Sequence, residues 1–198
     1  MGWRTHYFGT ENPTRGHRIA IHSIIAVLTL VAYGYWNDFI PEERWSWWGL
    51  YASAVAAAML TGWLMWLGIS RRNPGFTGNV VALAALAALS PLMFVALGGF
   101  LWMALVHGVA GAYTRLLGTR EVEVATVRLE YRYGRECHYQ ARGRRLDYAL
   151  PGHLCVRSLY YDSLPGHLVD VELHGQRSVF GFNVSGVRHR ADLGAGSR

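Results

Sequence analysis

Hydrophobic positions run almost unbroken through three stretches in the first two-thirds of the chain. Near Gly118 the pattern changes to short segments in which apolar and polar residues alternate. The first stretch, Ile19 to Trp36, is interrupted only by His22, Ser23 and Thr29; the second runs from Trp48 to Ile69, and the third starts near Val80. Each is of the length that crosses a bilayer core as a helix. From Val80 no charge occurs until Arg115. This stretch reads as one crossing over residues 80–105, bent by Pro91, with an interfacial extension to Leu117. The alternative is two short arms folded at Gly98-Gly99. That puts a turn without polar side chains at a membrane surface and leaves both arms at the short limit for crossing. Three spans are therefore expected over four. Ala54, Ala56, Ala57 and Ala58 in the second span and Ala84, Ala85, Ala87, Ala88 and Ser90 in the third make small faces suited to close helix contact, within the chain or between chains.

Beyond Glu121 the period is two. Val127, Leu129, Tyr131 and Tyr133 alternate with Arg128, Glu130 and Arg132, which predicts a half-buried strand. Val122 and Val124 have the opposite parity, so a bulge near Ala125-Thr126 is expected to keep one face apolar. Further short strands are predicted at 136–142, 145–150, 154–161, 168–174 and 178–184, with turns at Gly134, Gly143, Pro151-Gly152, Pro165-Gly166 and Gly175. The sequence Leu-Pro-Gly-His-Leu occurs twice, at Leu150–Leu154 and Leu164–Leu168. Pro sets the first corner of a turn and Gly supplies a positive φ at the next, so each copy is expected to lead into a strand. The fold class is thus a membrane α-helical region of three transmembrane helices plus a small antiparallel all-β terminal domain, barrel or sandwich. The organisation that follows is an N-terminal cytoplasmic segment (1–18), a transmembrane region (19–117), a β-rich extracytoplasmic domain (118–190) and a flexible tail (191–198) in a stretch rich in Arg, Gly and Ala from Arg188 onward.

Charge sets the orientation. Arg4, Arg15 and Arg18 precede the first span and Arg71 and Arg72 follow the second, which places both on the cytoplasmic side. The acidic loop between the first two spans then faces outward, and its Trp36, Trp45, Trp47 and Trp48 suit the headgroup boundary. Arg115 and Arg120 would lie outside, against the same rule. A cleaved signal peptide is the competing reading of the first span, since Ala32-Tyr33-Gly34 offers small residues two apart, but the leader before the apolar run is long for one. Among 198 residues there are 19 basic and 13 acidic ones, and every basic residue is Arg. In a membrane protein that excess reports orientation and lipid contact, so no nucleic-acid partner is read from it. The β domain, of about 75 residues, is near the lower end for an independent core.

Cys137 and Cys155 both fall in this domain and are expected to form a disulfide if it is exported to an oxidising compartment. His138, His153, His167 and His174 are candidate metal ligands, although none has the spacing of a recognised metal motif. Within the spans only His22 and His107 are ionisable, which disfavours transport by this chain alone. No nucleophile elbow, phosphate loop or activated cysteine context is present, so no catalytic residue and no cofactor are assigned. The expected function is that of an inner-membrane protein whose periplasmic β domain binds a protein partner without catalysis, as an envelope-complex subunit or a toxin-immunity protein. Membrane lipid and a protein partner or second copy are the implied contacts. The alternative is a metal-handling or small-molecule-sensing membrane protein built on the four histidines.

Overall fold

The computed structural model describes residues 12–70, 80–133 and 137–195. Helix α1, Arg15–Trp36, starts at Thr14, whose hydroxyl accepts a hydrogen bond from the backbone N–H of His17 at 3.2 Å, the usual way to satisfy a free first-turn donor. Strand β1, Phe39–Pro41, follows directly. Helix α2, Glu43–Ser70, opens with Glu43 in its first turn, where a carboxylate complements the helix dipole. Helix α3, Val80–Trp102, runs on through a π-helical segment, Met103–Val109, into helix α4, Ala110–Leu117. No hairpin forms at Gly98-Gly99, and among the described residues three helices are long and apolar enough to cross a membrane.

Most large apolar side chains on these helices face outward, including Ile19, Trp63, Met59 and Leu92. What holds the helices together is small. Gly49, Ser53, Ala57 and Thr61 form a buried stripe at four-residue spacing on α2, and a Cβ built on Gly98 of α3 would sit 3.7 Å from the Cβ of Ala57. Every fourth residue of a helix lies on one ridge, so small side chains there let two backbones approach. The expected small faces are only partly used: of Ala54, Ala56, Ala57 and Ala58 only Ala57 is fully buried, and Ala84, Ala85, Ala87 and Ala88 are exposed. At the other end α1 packs on the π-helical segment through Gly34 and Gly108. A Cβ on Gly108 would fall 2.5 Å from the carbonyl oxygen of Leu30, and one on Gly34 would fall 2.8 Å from the Gly108 nitrogen.

The remaining strands are β2 (Thr119–Tyr131), β3 (Tyr139–Arg142), β4 (Leu154–Cys155), β5 (His167–Ser178) and β6 (Gly181–Ala195). They form one antiparallel sheet in the order β1-β6-β5-β2-β3-β4. A short 3₁₀ turn, Arg144–Leu146, and helix α5, Ser158–Ser163, lie between strands. Alternation puts Ala125, Val127 and Leu129 of β2, Val169, Val171 and Leu173 of β5, and Phe182 and Val184 of β6 on one buried face. Ile40, on one edge strand, and Leu154, on the other, belong to that same cluster, so the sheet is curled into a half-barrel.

Several expectations are corrected. Strand β2 pairs with β5 without a register shift, and no bulge occurs near Ala125-Thr126. Val122 and Val124 simply face outward, and Glu123 takes the inward parity because two arginines neutralise it there. The register shifts lie between β5 and β6 instead. The segment 145–150 forms the 3₁₀ turn and its exit rather than a strand, and 154–161 is a two-residue strand followed by α5. Gly175 is inside β5, where a Cβ would meet the Phe182 ring at 2.9 Å, and the hairpin turn falls at Val179-Phe180. The expected tail is strand as far as Ala195, which pairs with His167. Gly152 and Gly166 do adopt positive φ, 81° and 76°. Gly134, Arg71 and Arg72 lie outside the described residues.

Candidate functional site

Three polar centres stand out around the sheet. The first is where the β1–α2 corner meets the inner face. Arg145 Nε donates to Glu123 Oε1 at 2.6 Å, and Arg145 also lies 3.5 Å from the Glu42 carboxylate. Arg177 pairs with the same Glu123 and with Glu121. Burial alone would lower the pKa of the Arg145 guanidinium. The hydrogen bond and charge of Glu123, with Glu42 adding to them, outweigh burial and hold it above its ordinary value. Because Glu42 follows β1 and Arg145 follows β3, these pairs tie the two sides of the curled sheet together. The arrangement is a closure, with each of these carboxylates facing a guanidinium. Sequence reasoning missed it, although the signal was there: Glu123 shares the parity of Val127 and Leu129.

The second centre joins helices to sheet. The hairpin tip at Phe180 is held between Trp45, 4.5 Å away by ring centroids, and Tyr113, 5.2 Å away. Its carbonyl accepts from the Glu42 N–H at 2.9 Å. Thr114 and Ser178 share a hydroxyl hydrogen bond of 2.6 Å, and Asn183 donates to the Asn37 side chain at 3.2 Å. His107, in the π-helical segment, is fully buried against Trp102 and Phe39, and its ring nitrogens have no hydrogen-bond partner among the described residues. His22 bonds instead to the Arg18 carbonyl at 2.7 Å. Of the four tryptophans assigned to an interface, Trp36, Trp47 and Trp48 are exposed, whereas Trp45 is turned onto the hairpin.

The third centre is the far rim. Cys137 and Cys155 form a disulfide with a Cα–Cα distance of 5.9 Å, closing a separation of 18 residues. His153 lies beside it, only 7% exposed, and the three side chains present ligand atoms within 4.8 Å of one another. Asp38, across the curl, is close enough to His153 for their charges to interact. Partial burial raises the Asp38 carboxyl pKa, and His153 opposes that rise. The other candidate histidines are placed elsewhere: His138 stacks on Tyr131, His167 bonds to Asp192 at 3.0 Å, and His174 lies 3.7 Å from Glu172. The structure does not assemble the four histidines into one site.

Closing a loop of this length contributes about 3 kcal/mol by restricting the unfolded chain. Cys137→Ser is therefore expected to lower the melting temperature of the β domain by more than about 10 °C under oxidising conditions. Reductant added to the parent should reproduce the loss. Equal melting of parent and variant, with and without reductant, would show that the bridge adds no stability.

Beside these centres, an open groove of about 810 Å³ runs between the end of α4 and β6, lined among others by Arg115, Arg120, His174, Val184 and Ser185. Ser185 begins the part of β6 that, among the described residues, has a neighbouring strand on one side only, because β1 pairs with Gly181–Asn183 and the Asp38 carbonyl takes the Val184 N–H. No family model, curated protein or solved structure matches this chain.

Proposed function

We propose that this chain is an integral membrane protein of three spans that holds its β domain on the extracytoplasmic side, where the domain docks a protein partner and performs no catalysis. Helices with apolar side chains exposed around most of their circumference are stable only in an apolar surrounding, and lipid supplies one. The arginines ahead of the apolar run that starts at Ile19 and in the α2–α3 connection orient the chain with its N-terminus in the cytoplasm. In an inner membrane the sheet then stands in the periplasm.

The observation that carries the docking reading is the one-sided edge of β6 from Ser185 to Ala195. A long strand with unpaired backbone donors and acceptors is a template for another strand, and soluble domains usually cover such an edge. Arg188 and Arg190 project from it. An extended, acidic segment of a protein partner is the occupant this edge fits, by strand addition with the arginines matching its carboxylates. A subunit of an envelope complex and an immunity protein that captures a toxin segment at the membrane are two forms of this reading.

Photocrosslinkers at Val187 and Leu193 are expected to give one product of discrete mass, absent with the crosslinker at Val122 on the other side of the sheet. Proline at Val187 should remove it. A product of twice the chain mass would make the occupant a second copy; labelling that is equal at all three positions, or that returns only lipid and chaperones, overturns the docking reading. For the placement, an impermeant reductant followed by an impermeant maleimide should label Cys137 and Cys155 in spheroplasts. Labelling that begins only after membrane rupture puts the domain in the cytoplasm.

A further inference from the structure

The repeated Leu-Pro-Gly-His-Leu turn contains its own comparison. In the second copy Gly166 turns the chain, and His167 finds a carboxylate, Asp192. In the first copy Gly152 makes the corresponding turn, but His153 is driven inward, 7% exposed, and neither ring nitrogen has a hydrogen-bond partner among the described residues. A neutral imidazole always carries one N–H donor and one acceptor, and leaving both buried and unpaired costs free energy. What His153 faces is the Cys137–Cys155 pair, because β4 pairs with β3 immediately after the turn and sets Cys155 opposite Gln140, three residues past Cys137.

We propose that, when the disulfide is reduced, Cys137, Cys155 and His153 form a binding site for a thiophilic cation of the Zn(II) or Cu(I) class, so that the rim of the β domain is a redox-gated metal site. Two thiolates and an imidazole are a soft donor set that selects these ions. Sulfurs each about 2.3 Å from a tetrahedral ion are about 3.8 Å apart. Donor atoms already within 4.8 Å of one another reach that arrangement by side-chain rotation. Opening the site takes two electrons and two protons from a dithiol donor, which closes to its own disulfide; the cation then displaces the thiol protons as it binds. Three protein ligands leave a fourth position for water or an exchange ligand, and Cys155 is on the exposed side of the cluster. This goes beyond partner docking and does not depend on it.

The test uses the full chain, reduced anaerobically and freed of reductant, and titrated with Zn(II) against a chromophoric chelator and separately with Cu(I). The oxidised chain keeps all nine histidines and gives the background. Reduced protein is expected to take up one additional ion per chain, and Co(II) as a stand-in for Zn(II) should show a thiolate charge-transfer band. Cys155→Ser should abolish the additional uptake. His153→Ala should weaken it at least about tenfold, the lower end of what even an outer partner of a metal contributes. His167→Ala should match the parent. Should His153→Ala unfold the rim, His153→Asn, which keeps a polar side chain of similar reach, is read in its place with far-UV circular dichroism as the fold control. Reduced protein that binds no more ion than oxidised protein overturns the proposal, and so does a folded His153 variant that binds as tightly as the parent.

Discussion

Alanine at Phe182 is expected to remove most of the stability of the β domain. Phe182 is fully buried, lies opposite Ile40 of β1, and carries the Arg177 guanidinium 5.6 Å above its ring. At Gly175 on β5 a Cβ would run first into the Asn183 carbonyl oxygen and then into this ring, which packs against the glycine. One side chain therefore joins β1 to the sheet, fills the inner curve and supports the ion cluster. Truncating a buried Phe costs about 3–5 kcal/mol. A domain of about 75 residues has roughly 4–11 kcal/mol in total. Thermal unfolding of the purified protein should show the domain melting far below the parent, with proteolysis confined to the region after Gly118. Val179→Ala, at an exposed position of the adjoining turn, should change stability by less than about 0.5 kcal/mol. A Phe182→Ala variant within about 1 kcal/mol of the parent would mean the curl is held by something other than this core.

The second large effect is expected from a single methyl group. Gly108→Ala places its Cβ against the backbone carbonyl of Leu30, and a backbone obstacle cannot rotate away as a side-chain tip can. Either α1 shifts off the π-helical segment or the segment distorts, at about 1–3 kcal/mol. Gly34→Ala meets the same contact from the other side. Gly62→Ala, where nothing lies within 4 Å of the added methyl, should be neutral or stabilise by about 0.5–1 kcal/mol, since Ala is the better helix former. The contrast is read by thermal unfolding of the three variants side by side. If Gly108→Ala and Gly62→Ala melt alike, α1 is not held through the Gly34–Gly108 contact.

The long apolar helices and the change of period near Gly118 were legible in the sequence because each follows from a pattern local to the chain. So was the disulfide, once two cysteines fell in one small domain. The lost information is non-local. Phe39-Ile40-Pro41 reads as a loop between two apolar runs, and only β6, more than a hundred residues later, makes it a strand. Glu123 looks like an interruption of the apolar face until Arg145 and Arg177 come into place from two other elements. The helix contacts ride on Gly49, Ser53, Ala57 and Thr61, a four-residue period that the many other alanines on the same helix conceal. At the rim, the repeated turn was visible, but the two copies are equal in sequence and unequal in surroundings. Asp192 claims one histidine, and the pairing of β4 with β3 turns the other toward sulfur.

The placement of β1 also fixes an order of events during synthesis. The β1 segment emerges from the ribosome with the first two helices, but among the described residues its only sheet neighbour is β6, and β6 in turn sits between β1 and β5. Until residues 181–195 have been made, Phe39 and Ile40 have no sheet to enter and β5 lacks one of its two flanks. A chain that stops before Gly181 thus keeps Phe39 on its helix-side contact with His107 but leaves Ile40 without the sheet that buries it.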